Sequence, residues 1–379
     1  MEYKLKDIIQ FKPGYPFKKE DMTEVGIDLI KIGNLKNNRV IIPSDVKIKE
    51  NIKFKDYVIK KNDILMALTG DPVFKGNIQT WVGRTSIYVE DKISYLNQRI
   101  CKLIPNEKIL INDYLYYWLI RFDKTYEIAG LFRGSANQAN ISHKEVGEML
   151  IDVPSLTIQR KVSKVLSNID NKIDLNNKIN KNLQAMASNV INSYFDKCDD
   201  REKYNGIIKF IKGKKPKDVI DYYEVGYEKY LTIACLNGEE NKYANIDNMF
   251  MTDHDILMVM DGASSGDTYF STYGIVGSTL SKIEIINNNY IPEYLFFTLK
   301  KYKNDIQRQT TGTAIPHTNK NIVLNLEIPK INMNDQLWFK SILYKILQNN
   351  EENRNLSQLR DTLLPKLMNG EIDLSKVEL

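Results

Sequence analysis

The sequence predicts an α+β protein. Two similar mixed α/β domains are joined by two long helices that pair as an antiparallel coiled coil, in a pseudo-twofold repeat. Three observations predict it. First, residues 154–195 contain no glycine and, after Pro154, no proline. Their apolar residues recur at helical spacing: Val162, Val165 or Leu166, Ile169, Ile173, Ile179, Met186, Val190 and Tyr194. A helix of that length runs about 63 Å, more than one compact domain needs. Second, residues 336–368 align with this stretch without a gap at a shift of 177. Third, the segments preceding the two stretches repeat the same short motifs in the same order.

Residues 1–150 read as short strands bounded by turn signals: 29–32 before Gly33-Asn34, 64–68 before Thr69-Gly70, 85–89, and 100–104 before Pro105-Asn106. A helix over 112–119 follows, with Asn112 or Asp113 as its N-cap. A polar loop over 133–140 leads into Ile151-Asp152-Val153-Pro154. The second half replays this order. Asp63-Ile64-Leu65-Met66 matches Asp255-Ile256-Leu257-Met258 at a shift of 192. Tyr114-Leu115-Tyr116-Tyr117 matches Tyr294-Leu295-Phe296-Phe297 at 180. Gly134-Ser135 matches Gly312-Thr313 at 178, and Ile151-Asp152-Val153-Pro154 matches Leu326-Glu327-Ile328-Pro329 at 175. A shrinking shift with constant order means duplicated domains with different loop lengths. The expected divisions are 1–153, 154–197, 198–328 and 329–379.

The expected seam of the helix pair is Val162, Leu166, Ile169, Asn176, Ile179 and Met186, matched in the second helix by Phe339, Leu343, Ile346, Asn353, Leu356 and Leu363. Burying such aliphatic side chains is worth roughly 1.5–3 kcal/mol each, before ordering entropy is subtracted. One mismatch interrupts the register: Leu183 falls on Arg360. Both helices are also polar in the middle. The central asparagines either are buried and fix register, as asparagine does at a coiled-coil core position, or lie in a solvated middle.

Catalytic motifs are sparse. Three scattered cysteines with no C-x-x-C argue against a zinc site or a disulfide framework and point to a reducing, cytoplasmic compartment. The start has no signal-like apolar run, and no 18-residue apolar segment occurs, so no membrane association is expected. His143, His254 and His317 form no metal motif. Neither a phosphate-binding P-loop nor the Asn/Asp-Pro-Pro-Tyr/Phe loop of a DNA methyltransferase is found. Gly262-Ala263-Ser264-Ser265-Gly266 fits the nucleophile-elbow pattern, with Asp305 and His317 following in hydrolase order. The next residues, Asp267-Thr268-Tyr269-Phe270, do not begin a helix, which argues against that use.

Loops carrying basic, polar and aromatic groups remain. The net charge of +5 is only mildly basic. Even so, Lys12, Tyr15, Lys18 and Lys19 beside Gly14 and Pro16 have a counterpart in Lys212, Lys214, Lys215 and Lys217 beside Gly213 and Pro216. Lysines on Gly/Pro loops suit phosphate contacts. Arg84, Arg133, Asn137 and Gln138 in the first half, and Arg308, Gln309, Thr313 and His317 in the second, are candidates for contact with DNA. Arg, Asn and Gln make paired hydrogen bonds to guanine and adenine edges.

With these residues assembled, the chain resembles the DNA-specificity subunit of Type I restriction–modification enzymes over nearly its whole length. The resemblance rests on Gly14-Tyr15-Pro16-Phe17 and the run from Gly26 to Leu35, and on Asp63-Ile64-Leu65 with Asp255-Ile256-Leu257. It rests also on Val153-Pro154-Ser155-Leu156-Thr157-Ile158-Gln159, and most specifically on Leu363-Leu364-Pro365-Lys366-Leu367 followed by Gly370. The second half departs from the pattern, with Leu231-Thr232-Ile233-Ala234-Cys235-Leu236 in place of Ile-Gly-Asn-Leu and a longer approach to Gln336. The resemblance implies two target-recognition domains, each reading half of a split site on double-stranded DNA. It implies helices that set the gap and dock two adenine methyltransferase subunits, with restriction/translocase subunits joining them. It implies no catalysis and no cofactor on this chain, S-adenosylmethionine being expected on the methyltransferase partner. The residues also allow a coiled-coil interaction scaffold without sequence-specific DNA binding.

Overall fold

The structure, a computed structural model, describes residues 1–75, 78–133, 139–238, 240–247, 249–310 and 316–374. The chain forms two compact units: Met1–Ile173 with Arg354–Leu379, and Asp174–Asn353. Each long helix therefore contributes one part to each unit.

In the first unit the strands Ile64–Ala67 and Ile100–Pro105 pair antiparallel, flanked by Ile9–Pro13 on one side and Thr85–Ile87 on the other. Every side chain of Ile64–Ala67 is buried. Successive strand residues face opposite ways, so Ile64 and Met66 enter the core beneath the helices while Leu65 and Ala67 enter a second core. A strand covered on both faces reads as a continuous apolar run. A second, five-stranded sheet centres on a parallel pair, Ile27–Ile30 with Ser94–Leu96. The strand expected over 29–32 begins two residues earlier and ends at Ile30, because Ile32–Asn34 turns into a 3-10 helix.

The second unit repeats this plan. Ile256–Val259 and Leu280–Ile285 pair antiparallel between Ile208–Lys212 and Thr268–Phe270. Ile256 and Met258 face the helices, whereas Leu257 and Val259 face the smaller core. Its five-stranded sheet centres on the parallel pair Tyr227–Leu231 and Gly274–Val276. The departing segment Leu231-Thr232-Ile233-Ala234-Cys235-Leu236 occupies the place of its counterpart: strand end, then a short helix Ile233–Leu236.

The helices Asn112–Ile120 and Pro292–Lys301 back the main sheets with nearly every middle residue buried. The N-cap of the first is Ile111, correcting the expectation of Asn112 or Asp113.

The long helices span Leu156–Lys197 and Met333–Met368, the second starting three residues before the expected Gln336. Val162, Leu166, Leu364 and Leu367 are buried in the first unit, and Ala187, Ile191, Phe195, Phe339, Leu343 and Ile346 in the second. Ile169, Ile179, Leu356 and Leu363 are half-buried. Met186 is a correction: it is 43% exposed, and Ala187 is buried in its place. Gln159, Leu166, Ile173, Asn180 and Ala187 lie seven residues apart on the inner side. A heptad seam reaches 187, one residue past the methionine.

The central asparagines are buried, which decides between the two readings. Asn176, Asn180 and Asn349 are all nearly inaccessible. Asn176 donates to Asn353 Oδ1 at 2.9 Å and Glu352 Oε2 at 2.8 Å. Asn349 donates to Asn180 Oδ1 at 2.8 Å, and Asn180 donates to Asn350 Oδ1 at 2.8 Å. Partner numbers fall as residue numbers rise, so the helices are antiparallel. A buried amide left without its partner costs about 1–3 kcal/mol. Asn180→Leu is expected to lose that much by urea unfolding, because the Asn349 amide is stranded. Asn180→Leu with Asn349→Leu should recover part of the loss, giving a non-additive double-mutant cycle.

Candidate functional site

Two glutamines tie the long helices to the helices behind the sheets. Gln159 and Gln336 stand 177 residues apart, and both are buried. The Oε1 of Gln159 accepts from the Ile111 N–H at 2.8 Å, and its Nε2 donates to Ile109 O and Pro154 O, each at 2.9 Å. Gln336 Oε1 accepts from the Ile291 N–H at 3.0 Å, and its Nε2 donates to Asn289 O at 2.8 Å and Ile331 O at 3.2 Å. Ile111 and Ile291 are the N-caps of the helices behind the sheets. Each amide thus ties the long helix to the start of the helix that backs a sheet. The identical spacing was the signal in the sequence.

The Leu183/Arg360 mismatch also has a structural reason. Arg360 Nη1 lies 3.0 Å from Asp170 Oδ1, and Arg39 Nη2 lies 3.1 Å from Asp170 Oδ2. Tyr117 OH donates to Asp170 at 2.8 Å, and Arg39 donates to Tyr116 OH at 2.5 Å. Asp170 is 3% exposed. Burial works against the Arg360 charge, but Asp170 and Asp361 outweigh it and hold its pKa above the ordinary value. Burial, then the Asp170 charge, pushes the Tyr117 phenol far up. The corresponding residues of the second unit are Phe297, buried in its apolar core, and Leu347 and Leu183, half-buried against it.

The two basic loops occupy matched positions. Each follows the edge strand of its main sheet and crosses the end of the parallel pair. At Gly14 a Cβ would overlap the carbonyls of Leu96 and Asn97, and at Gly213 those of Val276 and Gly277. Only glycine permits either crossing. Lys12 is half-buried, 3.9 Å from Asp56. Lys18 and Lys19 are exposed. The Tyr15 ring packs against Phe17, Phe54 and Tyr57 at 4.9–5.3 Å, so its face belongs to a core. In the second unit Lys212 sits 3.7 Å from Asp261, and Lys214 lies 4.7 Å over the Phe250 ring. Lys215 and Lys217 are exposed.

The polar loops also return to matched places. Thr69 pairs with Asn140, and Asp261 bridges to His317. His317 Nδ1 lies 2.7 Å from Asp261 Oδ1, which brings Lys212, Asp261 and His317 together. Arg133 is exposed and paired to Glu145 at 2.6 Å. Arg308 and Gln309 are exposed at the end of the helix Lys303–Arg308. Asn137, Gln138 and Thr313 lie outside the described residues.

Arg84 is a correction. Its guanidinium donates to the carbonyls of Ile32, Leu35, Thr80 and Trp81 at 2.7–3.3 Å. Burial lowers its pKa. Four of its five N–H groups hold the scaffold, so a base edge is not their partner. The elbow motif is also resolved. It turns between Ile256–Val259 and Thr268–Phe270, two strands, so the strand-to-helix geometry is absent. His317 bonds Asp261, and Ser264, the central serine of the motif, lies in the turn, where its carbonyl accepts from the Asp267 N–H at 3.0 Å. Among the described residues no His/Cys/Asp/Glu group could hold a metal, and no helix is long and apolar enough to cross a membrane.

A duplicated sheet-pair unit with matched basic loops and glutamine-tied helices defines a class of protein. The family model of the Type I restriction modification DNA specificity domain matches residues 1–185 and 202–359, and the chain belongs to that family. It is 37% identical over 139 residues to the Type I restriction enzyme MjaVIII specificity subunit of Methanocaldococcus jannaschii, a match spanning 36% of this chain and 33% of that relative. It is 22% identical over 440 residues to the HindI specificity subunit of Haemophilus influenzae, covering 90% of this chain and 94% of the other. The crystal structure of a Type I restriction–modification S subunit from M. genitalium shares the fold, with a TM-score of 0.59 and 18% identity over 97% of this chain and 95% of that one.

Removing one member of a buried ion pair costs about 3–5 kcal/mol, because the other charge is left uncompensated. Asp170→Leu leaves Arg39 and Arg360 facing each other and is expected to lose stability on that scale in urea. Arg360→Leu keeps the Arg39–Asp170 pair and should lose less. Thiol chemistry gives a second check. Burial raises the Cys101 pKa to about 12, whereas Cys198 is half-exposed. A thiol raised above its unfolded value near 9 stabilises the fold below that pH and loses the contribution as pH rises toward 12. Labelling at pH 8 should modify Cys198 first, with Cys101 reacting only on unfolding.

Proposed function

We propose that this chain reads a two-part sequence in double-stranded DNA, each unit reading one half-site. The paired helices set the number of base pairs between the halves. Their outward faces, including exposed Ile158, dock two adenine methyltransferase subunits, and restriction/translocase subunits join that complex. The chain performs no chemistry itself, and S-adenosylmethionine binds the methyltransferase partner.

The single observation carrying this reading is the repeat. The order of the five-stranded sheet and of four strands of the main sheet occurs twice, the first unit adding Leu35–Lys36 and Arg39–Val40 at one edge. Each time a lysine loop crosses the end of the parallel pair at a glycine. Lysine on such loops supplies sequence-independent phosphate affinity. Polar loops beside them supply side chains for base edges.

Methylome sequencing of a host expressing the complex tests it. A split motif with a fixed gap is expected, and a continuous motif or none would sink the reading. Inserting one four-residue turn, about 6 Å of helix, into the middle of both long helices should lengthen the gap and leave both half-sites unchanged. A new half-site sequence in that variant would contradict the role assigned to the helices.

A further inference from the structure

The two most exposed large hydrophobic side chains among the described residues are Val225, at 88%, and Val25, at 85%. They are the same position in the repeat. Glu24-Val25-Gly26 and Glu224-Val225-Gly226 stand 200 residues apart. Both lead directly into the strand of the parallel pair, Ile27–Ile30 or Tyr227–Leu231. Each follows its basic loop within a few residues: Lys18 and Lys19 in the first unit, Lys214, Lys215 and Lys217 in the second. A lone exposed apolar residue needs no explanation. The same residue at the top of the exposure range in both copies does.

The tips are held by the backbone. A Cβ on Gly26 would collide with the Ile48 carbonyl, and Gly226 has φ +93°. Glu24 and Glu224 are exposed, and among the described residues no salt bridge engages either, although lysines are close in sequence. A carboxylate presented beside a phosphate-binding loop is repelled by DNA unless it meets a hydrogen-bond donor.

We propose that these Glu-Val tips read base edges in the major groove. This rests on the reading that both units bind DNA. The valine methyls contact a thymine C5-methyl, and the glutamate accepts from a cytosine N4 amino group. The major groove offers both features, whereas the minor groove offers neither the methyl nor the cytosine amino group. The minor groove also concentrates negative potential, which repels a carboxylate. Valine is shorter than the Phe, Leu, Ile and Met side chains that serve as minor-groove wedges. In the second unit Tyr222 and Tyr223, both about two-thirds exposed, widen the apolar surface of the tip.

The test compares the full wild-type chain, assembled with its methyltransferase subunits, with Glu24→Gln, Val25→Ala, Glu224→Gln and Val225→Ala. Each is used to select duplexes from a randomised pool. The first two variants should relax a cytosine or thymine position in one half-site only, and the last two in the other. Fluorescence anisotropy should show a loss on the order of 10-fold for Glu→Gln on the selected duplex. Replacing the contacted thymine by deoxyuridine should weaken the wild type and leave the Val→Ala variant unchanged. Unaltered motifs in all four variants, with the wild type still selecting a split site, overturn the inference and leave the proposed function standing. Variants that lose methyltransferase assembly while keeping the motif show a protein-docking tip, which also overturns it. A wild-type complex that selects no sequence overturns the DNA reading itself.

Discussion

The fold depends on a buried amide that holds three backbone groups at once. Gln159 does this in one unit and Gln336 in the other. An uncharged side chain can be buried in full only when its donors and acceptors are matched, and here each amide is matched by backbone that would otherwise be unsatisfied at a helix start. The tied helix backs the main sheet. The sheet in turn carries the glycine crossing and the lysine loop. Losing the amide loosens this sequence at its first link.

The same register has a different chemistry in each unit. In the first, Arg360, Asp170, Arg39 and Tyr117 form a buried charged network. In the second, leucines and a phenylalanine occupy the corresponding positions. Removing one partner from a buried charged network is costly, because it leaves a charge uncompensated. The duplicated halves are therefore alike in fold and unequal in their helix contacts. The asparagine layer adds a second constraint of the same kind, because a slip in register would leave several amides unpaired in the seam.

Much of the architecture was legible in the sequence. Ile64–Ala67 and Ile256–Val259 read as strands because both faces are covered and every residue is apolar. The repeat was visible through shifts that shrink while order is kept. Element ends were less legible. The strand at Ile27–Ile30 and the N-cap at Ile111 depend on a 3-10 turn and on a distant glutamine, neither of which leaves a local pattern. Among site residues, Lys18, Lys19, Lys215 and Lys217 are exposed, whereas Arg84 and Tyr15 serve the scaffold. Arginine and tyrosine are ambiguous by composition, since each has a long apolar body and a polar end that suits interior or surface.

The sequence by itself determined the duplication, the helical period of the long segments, the continuous apolar runs of the core strands and the glycine- and proline-bearing loops that carry the lysines. These are local or periodic properties, and each residue type carries its own preference for them. Only the tertiary structure decided whether the asparagines are buried, that Ala187 replaces Met186 in the seam, that Arg360 answers Asp170, and that Val25 and Val225 stand out at matched tips. Each of these depends on which groups from remote parts of the chain meet. A hydrogen bond or a desolvated charge is set by its partner, and the partner is not written beside it.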